Sequence, residues 1–268
     1  MDMATNPVMG DHQIRALGDE LYLALIDRRP VAPLTERFPG ISLEDAYRIQ
    51  LRMVDRRLEK GEMVVGKKIG VTSRPVQEML GVYQPDFGQL LSGMMFTEGE
   101  GIPVGNLIAP RAEAEVAFLL KRDLVGPGIT AEDVLAATEV VVPCFEIVDS
   151  RIRDWKIRIQ DTVADNASCG MFVLGSQPRD PKGLDLAAAA MVVKKNGQVV
   201  SKSTGASVQG SPLNSVAWLA NTLSALGIPF KAGEVILSGS QSPLFPAVAG
   251  DRFECTVEGL GGCSVHFV

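Results

Sequence analysis

The stretch Arg111-Ala-Glu-Ala-Glu-Val-Ala-Phe-Leu-Leu120 predicts a β-strand, because apolar residues surround its two acids and neither Gly nor Pro interrupts it. Residues two apart in a strand project from the same face, so Glu113 and Glu115 stand side by side. Burying two repelling carboxylates without a partner would cost several kcal/mol. Two interpretations follow: a divalent cation with oxygen ligands neutralises the pair, or the pair lies on a solvated sheet face beside Arg111.

A second acidic strand favours the metal interpretation. Residues 139–147 read Glu-Val-Val-Val-Pro-Cys-Phe-Glu-Ile, and Glu146 is embedded in this apolar run, where a carboxylate needs a partner. Three carboxylates from two strands, with further positions open to water or substrate, suit magnesium or manganese. The sequence contains no HExxH, CxxC or Asp-rich calcium loop that would compete for the metal role.

Length and charge set limits on the class of protein. A chain of 268 residues fits one domain with an appendage or two small domains. The net charge of −6 and the lack of a long basic run argue against a nucleic-acid partner. No apolar stretch reaches membrane-spanning length, and no basic-then-apolar signal opens the chain, so we predict no membrane association and a cytoplasmic location. The four cysteines form no close pair and are expected to be free thiols.

Histidine is nearly absent, which narrows the chemistry. His12 lies in a predicted helix and His266 lies two residues from the end of the chain, and we expect structural roles for both. Mechanisms of the Ser-His-Asp or Cys-His type and a His-rich zinc site are therefore disfavoured. Proton transfer falls to Lys, Asp, Glu, Ser or metal-bound water.

The pattern of elements predicts an α+β fold. Helical spacing over 11–29 and from Ser42 to about Lys60 predicts an N-terminal helical subdomain, residues 1–62. From Met63 onward alternating patterns predict a mixed or mostly antiparallel sheet domain, residues 63–268, with two or three interspersed helices. Within that domain the sequence predicts loops at 84–88 and 161–170, helices at 75–80, 130–139 and 212–226, a hairpin turn at Asn196-Gly197, and terminal strands at 235–238, 252–258 and 263–268.

The strand Val64–Val71 carries two adjacent lysines on opposite faces. Lys68 shares its face with Gly66 and Gly70, which leave space free of side chains where a ligand could approach. The alternative is that both lysines reach solvent along their stems.

Several motifs, in order, resemble the 2-keto-4-pentenoate hydratase family of the fumarylacetoacetate hydrolase superfamily, from about residue 11 to the end of the chain. They are Gly-Lys-Lys-Ile-Gly-Val-Thr-Ser at 66–73, Gln-Pro-Asp-Phe-Gly at 84–88, Pro-Arg-Ala-Glu-Ala-Glu at 110–115, Glu-Ile-Val-Asp-Ser-Arg at 146–151 and Asp-Thr-Val-Ala-Asp-Asn-Ala-Ser at 161–168. The resemblance implies mixed strands rolled around the site, with the N-terminal helices outside.

The resemblance also implies an activity and a set of site residues. The activity is hydration of 2-hydroxypenta-2,4-dienoate to 4-hydroxy-2-oxopentanoate, in the catabolism of aromatic compounds, through an enolate held by magnesium or manganese. The metal ligands would be Glu113, Glu115 and Glu146. Candidates for proton transfer and for substrate or water binding are Lys68, Asp86, Ser168 and Asn166. Arg151 would bind a carboxylate or support Glu146. Thr72 and Ser73 would belong to the pocket, although Ser73 equally suits a helix cap.

Alternatives remain open at this point. Decarboxylation of 2-oxo-3-hexenedioate (4-oxalocrotonate) could use the same metal site, and Arg153, Lys156 and Arg158 could bind the second carboxylate of that substrate. The Gln-Pro-Asp-Phe-Gly motif with Asp86 resembles the hydratases. The resemblance further favours a homo-oligomer, and association with a decarboxylase or aldolase of the same pathway is a further expectation.

Overall fold

The computed structural model describes residues 9–268, apart from the side chains of Pro75, Met79 and Leu80. The first eight residues of the predicted N-terminal subdomain therefore lie outside the described residues. The helices are α1 (Asp11–Asp27), α2 (Leu34–Arg37), α3 (Leu43–Leu58), α4 (Arg74–Leu80), α5 (Ala131–Ala137), α6 (Ile159–Ala164) and α7 (Pro212–Ala225). None of the described helices is long and apolar enough to cross a membrane.

Two sheets hold the strands. The strands are β1 (Val64–Gly70), β2 (Asp86–Leu91), β3 (Met95–Phe96), β4 (Gly101–Ile102), β5 (Arg111–Leu120), β6 (Thr138–Val148), β7 (Cys169–Leu174), β8 (Ala190–Lys195), β9 (Gln198–Thr204), β10 (Val235–Leu237), β11 (Phe245–Pro246), β12 (Arg252–Val257) and β13 (Gly261–Phe267). The larger sheet has the order β2-β1-β10-β5-β6-β7-β3, with β11 paired to β5, and the smaller has the order β4-β13-β12-β8-β9. The α+β class with helices first is confirmed.

The main core lies between the two sheets. Alternate residues of β5 and β6, including Phe118 and Phe145, pack against Phe253 and Phe267 of the smaller sheet. The rings of Phe145 and Phe253 are 6.3 Å apart. Because side chains alternate along a strand, the glutamates of β5 and β6 project from the opposite face of the larger sheet.

The helices α1, α3 and α6 form a second apolar layer. Ile14 and Leu21 of α1 pack with Ile49 and Met53 of α3 and with Val163 of α6. The predicted capping box begins α3, where the Asp45 N–H donates to Ser42 Oγ at 3.0 Å and the Ser42 N–H donates to the Asp45 carboxylate at 3.3 Å. Through this contact with α6, the N-terminal helices α1 and α3 pack against the part of the chain that directly precedes β7.

Two segments differ from the predicted loops. Residues 84–88 include the start of β2, because Asp86 pairs with Gly70 of β1 and continues the antiparallel ladder. Residues 161–170 include most of α6 and a 3₁₀ turn. The Asp161 carboxylate accepts the Arg158 N–H at 2.9 Å, which caps the start of α6. It also accepts two hydrogen bonds from Thr35, which is distant in sequence. These contacts stabilise the polar residues of α6 as a helix.

Candidate active site

Three carboxylates from the central strands meet on one face of the larger sheet. The antiparallel register of β5 and β6 places Glu113 directly opposite Glu146 and Glu115 opposite Cys144. Carboxylate oxygens of the three glutamates all lie within 4.8 Å of one another. Their exposed fractions are 5%, 0% and 0%, so the interpretation of a solvated sheet face is wrong.

These carboxylates are poorly compensated by the protein. Oε1 of Glu115 accepts no hydrogen bond from the described residues, whereas Glu115 Oε2 accepts the Gly239 N–H at 2.8 Å. Neither carboxylate oxygen of Glu146 accepts a well-aligned hydrogen bond from these residues, and the neighbouring ammonium of Lys68 is its charged partner. Burial and the charge of Glu146 raise the pKa of Glu113 to about 8. Burial likewise raises the pKa values of Glu115 and Glu146, which shows that the folded protein disfavours three negative charges here.

The donor set fits a hard divalent cation. Buried carboxylate oxygens without hydrogen-bond partners are costly, and oxygen ligands on an ion such as magnesium, manganese or calcium would offset that cost. Glu113, Glu115 and Glu146 are the residues that could hold the ion. Carboxylates alone do not distinguish magnesium from manganese.

Lys68 of β1 lies next to the three glutamates. Its Nζ is 3.2 Å from Glu146 Oε1, and its side chain is 2% exposed. Burial opposes the charged form, but the carboxylates of Glu146, Asp86 and Glu113 outweigh burial and raise the pKa of the ammonium. Beside a bound divalent cation we expect the pKa of Lys68 to be lower, because like charges repel.

Lys67 points to the other face and binds a different partner. Its Nζ lies 2.5 and 2.6 Å from the two carboxylate oxygens of Glu234, and over the ring of Phe230. Burial lowers the pKa of Lys67, against the opposing effect of Glu234. The prediction of two faces is confirmed, whereas the alternative of two solvated stems is wrong because both lysines are buried.

The two glycines beside Lys68 have different uses. A Cβ on Gly70 would lie 2.3 Å from Asp86 Oδ1 and 3.0 Å from Lys68 Nζ, so this glycine leaves room for the polar groups of the site. A Cβ on Gly66 would lie 1.9 Å from the carbonyl oxygen of Val235. Gly66 therefore admits the neighbouring strand β10 and not a ligand, which corrects the expectation for that position.

Asp86 belongs to the site through the pairing of β2 with β1. Its Oδ2 accepts a 2.6 Å hydrogen bond from the Thr162 hydroxyl of α6, and its Oδ1 accepts none from the described residues. The side chain is 2% exposed. Asp86 is therefore a buried acid with one free oxygen, whereas a residue that merely stabilises a turn through its own backbone would bond locally.

A narrow cavity opens onto these groups. Its polar lining comes from Lys68, Asp86, Glu113, Thr162 and Ser168, and its apolar lining comes from Gly70, Val71, Val76, Val148, Trp155, Ile157, Ala167 and Leu244. Nine described non-glycine residues have positive φ, and four of these nine line the cavity: Val71, Trp155, Ala167 and Ser168. Left-handed backbone is costly for such residues and is concentrated at functional sites, which supports a ligand-binding role for this cavity.

Arg151 lies outside the cavity lining and supports the turn that carries Ser168. Its Nε lies 2.5 Å from Asp165 Oδ1, and its remaining N–H groups donate to the main-chain carbonyls of Asp149, Asp165 and Cys169. The side chain is fully buried. These contacts favour a positioning role over the predicted contact with a substrate carboxylate.

Replacing Arg151 with Met should therefore cost stability. The variant leaves Asp165 buried without its cation and three carbonyls without their donor, so we expect the free energy of unfolding to fall by about 3–5 kcal/mol. Urea denaturation followed by circular dichroism measures the loss. Arg153→Met is the matched control, because Arg153 is exposed; equal stability of the two variants would contradict the assignment.

Three further predicted residues lie around the cavity without lining it. The Asn166 side chain exchanges two hydrogen bonds with the main chain of Gln89, at 2.8 and 2.9 Å. Thr72 packs against Gly239, and its buried hydroxyl has no hydrogen-bond partner among the described residues. Ser73 occupies the cap position of α4, but its side chain makes no cap hydrogen bond.

Sequence reasoning missed three residues of the site. Thr162 orients Asp86, Gly239 donates to Glu115, and Trp155 forms one wall of the cavity. Thr162 lies in the stretch 161–168 that resembles the family, but no residue spacing links Thr162 or Trp155 to Asp86. Gly239 follows β10 in a Ser- and Gly-rich loop, and only the fold brings that loop beside β5.

Comparison with known proteins places this site in a family. Residues 71–268 match the model of the fumarylacetoacetate (FAA) hydrolase C-terminal domain. The chain belongs to the fumarylacetoacetate hydrolase family. The resemblance predicted from the sequence motifs is thereby confirmed, and the rolled sheets with helices outside are the fold of this family.

Within the fumarylacetoacetate hydrolase family, the relatives of this protein include hydratases and a decarboxylase. It is 62% identical to a 2-hydroxyhexa-2,4-dienoate hydratase of Comamonas testosteroni, over 97% of this chain and 99% of the relative. It is 62% identical to a 2-hydroxypent-2,4-dienoate hydratase of Pseudomonas putida, over 80% of this chain and 97% of the relative. The 4-oxalocrotonate decarboxylase of Pseudomonas putida G7, solved with magnesium and adipate, superposes with a TM-score of 0.93 at 34% identity, covering 97% of this chain and 99% of that chain.

Proposed function

We propose that the protein is a hydratase that adds water to 2-hydroxypenta-2,4-dienoate and yields 4-hydroxy-2-oxopentanoate, with magnesium or manganese as cofactor. The observation that carries this proposal is the cluster of three buried carboxylates beside Lys68, in which Glu113 lines the same cavity as Lys68 and Asp86. The names of the relatives at 62% identity support the reaction. The magnesium in the decarboxylase structure supports the type of cofactor.

The three glutamates would hold the cation, and Lys68 and Asp86 would handle protons. A bound divalent cation supplies positive charge that stabilises the carboxylate and 2-oxygen of the substrate. Lys68 lies beside Glu146 and would exchange protons with the carbons of the dienoate. The free Oδ1 of Asp86 would accept a proton from the water that adds at carbon 4, while Thr162 holds the other oxygen.

Ser168 would contribute through its strained position. Ser168 has a φ of 52° and lines the cavity. Its hydroxyl lies 3.4 Å from the Asp165 carboxylate, at the long end of hydrogen-bond distance. The hydroxyl is therefore available to bind substrate or water. Thr72, Ser73 and Asn166 then shape the surroundings of the cavity.

The second candidate function is decarboxylation of 4-oxalocrotonate. The close superposition on a decarboxylase favours it, since the same three carboxylates could serve both reactions. Asp86 favours hydration, because the resemblance associates this aspartate with the hydratases.

An ultraviolet assay separates the two functions. The metal-stripped protein is mixed with 2-hydroxypenta-2,4-dienoate, with and without magnesium or manganese. We expect metal-dependent loss of the dienol absorbance and 4-hydroxy-2-oxopentanoate as product. Persistence of this substrate, together with carbon dioxide release from 2-oxo-3-hexenedioate, would replace hydration with decarboxylation.

Replacing Gly70 with Ala should reduce turnover without unfolding the protein. The new Cβ would overlap Asp86 Oδ1 and press on Lys68 Nζ, and displacement of catalytic groups by about 1 Å can lower kcat about 100-fold. Steady-state kinetics of dienoate hydration measures the effect. Gly105→Ala is the control, because a Cβ there meets nothing within 4 Å; equal kcat in both variants would contradict the placement of Asp86 and Lys68.

We further propose that this hydratase works in the cytoplasm as a homo-oligomer whose N-terminal helical subdomain is residues 1–62. Exposed apolar side chains, including Tyr83 at 72% and Met63 at 65%, support burial between subunits. Light scattering coupled to size-exclusion chromatography tests the oligomer. Co-purification with an aldolase or decarboxylase of the same pathway tests the proposed association.

A further inference from the structure

A buried glutamine of α3 joins the two elements that carry Asp86 and Thr162. Gln50 is 0% exposed, and its Nε2 donates to the main-chain carbonyl of Phe87 at 2.9 Å and to that of Val163 at 2.8 Å. Phe87 directly follows Asp86 in β2. Val163 directly follows Thr162 in α6. The side-chain amide therefore cross-links β2 and α6 one residue away from the 2.6 Å bond between Thr162 and Asp86.

The two acceptor carbonyls lie where a strand and a helix leave main-chain groups open. β2 is an edge strand of the larger sheet, so the main-chain groups on its outer side have no neighbouring strand. Val163 lies in the last turn of α6, where carbonyls have no intrahelical donor. Because one amide serves both carbonyls, Gln50 satisfies them and also fixes the separation of β2 and α6.

The amide of Gln50 is oriented by its two N–H groups alone. Its Oε1 is buried and accepts no hydrogen bond from the described residues, which costs free energy. The same face of α3 is otherwise aromatic or apolar: the ring of Tyr47 lies 5.6 Å from that of Phe87, and Val54 belongs to an apolar cluster with Leu90. A polar group kept in such surroundings at a cost is expected where function requires it.

The position of Asp86 depends on how β2 and α6 are held together. Asp86 and Thr162 both line the cavity, and the bond between them leaves Oδ1 of Asp86 without a partner among the described residues. A short hydroxyl–carboxylate bond tolerates little displacement of either residue. A shift of about 1 Å between β2 and α6 would break this bond and move the acid, and such a shift can lower the rate about 100-fold.

We infer that Gln50 is a positioning residue for Asp86, because it fixes β2 and α6 at the separation that the bond from Thr162 requires. This inference rests on the proposed hydratase function, in which Asp86 accepts a proton from water. Gln50 precedes the matched domain of residues 71–268. The N-terminal helices therefore contribute to turnover through α3, in addition to their part in folding.

Replacing Gln50 with Met removes both donors and keeps the length of the side chain. We expect kcat for dienoate hydration to fall about 10–100-fold, while KM and the affinity for magnesium change by less than about twofold, because the glutamates and the cavity lining are unaltered. Steady-state kinetics and calorimetric titration with magnesium measure these effects. Leu21→Ala weakens the same helical layer from α1 and is the control, with wild-type kcat expected. A kcat in Gln50→Met equal to that of this control would overturn the inference.

A double-mutant cycle with Asp86→Asn shows whether Gln50 acts through Asp86. The Asn side chain still accepts the Thr162 hydroxyl but does not take the proton. Gln50→Met should therefore lower kcat by less than about twofold in the Asp86→Asn protein. An equal fold-loss of kcat in both backgrounds would show a general structural role and overturn the inference. Gln50→Asn, whose amide is one methylene too short to reach both carbonyls, takes the place of the Met variant if that protein does not fold, with the same expected and contradicting results.

A crystal structure of the magnesium-loaded Gln50 variant separates failure of the positioning role from failure of the proposed reaction. We expect the Asp86 carboxylate and the Thr162 hydroxyl to lie more than about 3.5 Å apart. Retention of the 2.6 Å bond would overturn the inference whatever reaction the enzyme catalyses. Absence of dienoate hydration by the wild-type protein, with this bond lost in the variant, would overturn the proposed function alone.

Discussion

Replacing Glu115 with Gln is expected to abolish tight binding of magnesium or manganese and to lower kcat/KM for dienoate hydration by about 1000-fold or more. The substitution preserves the size of the side chain and the bond from the Gly239 N–H, which a Gln carbonyl accepts equally well. It removes one of three buried anionic donors. Isothermal titration with the metal and the decay of dienol absorbance measure the two effects.

A glutamate outside the site provides the matched control for this change. Glu98 also accepts main-chain hydrogen bonds, from Ser264 at 2.8 Å and from Ser176 at 3.2 Å, and it takes no part in the cavity. Glu98→Gln should keep metal affinity and activity. Wild-type metal affinity in the Glu115→Gln protein would remove Glu115 from the ligand set.

Two adjacent lysines should give opposite phenotypes when each is replaced with Met. Lys68→Met should lower kcat by about 10²–10⁴-fold, the range for loss of a proton-transfer group, while the metal still binds. Lys67→Met should leave kcat close to wild type, but it leaves Glu234 buried without its cation and should cost about 3 kcal/mol of stability. Steady-state kinetics and urea denaturation of both variants make the comparison.

The pair of variants separates catalysis from folding, because each lysine serves as the control for the other. A Lys68→Met protein with normal kcat would exclude proton transfer by this residue. Loss of metal binding in the same variant would instead indicate that Lys68 organises the glutamates. A Lys67→Met protein with unchanged stability would show that the ion pair with Glu234 makes no net contribution to the free energy of unfolding.

The cluster of three glutamates could be predicted in part, because the facing of its members depends on local periodicity. Alternation within β5 fixes Glu113 and Glu115 on one face, and the apolar run of β6 marks Glu146 as buried. The same rule separates the faces of Lys67 and Lys68. Nothing in the spacing fixed the register of β5 and β6, which decides that Glu113 and Glu146 meet.

Residues whose roles depend on contacts distant in sequence could not be assigned in the same way. Asp86 was assigned to a loop because Pro85 and Gly88 flank it, yet pairing with β1 makes it the first residue of a strand. Thr162 reaches Asp86 across 76 positions of the chain. The polar character of 161–170 suggested a loop, whereas Arg151 and Thr35 satisfy its carboxylates from outside and permit a helix and a left-handed turn.

A titration of metal-stripped protein with manganese tests the cation site directly when bound ion and hydration of 2-hydroxypenta-2,4-dienoate are measured on the same samples. We expect one ion per chain, activity that rises in proportion to occupancy, and loss of both in the Glu115→Gln variant. Full hydratase activity in protein shown to carry no divalent ion would contradict the central claim that the three glutamates act by holding a cation.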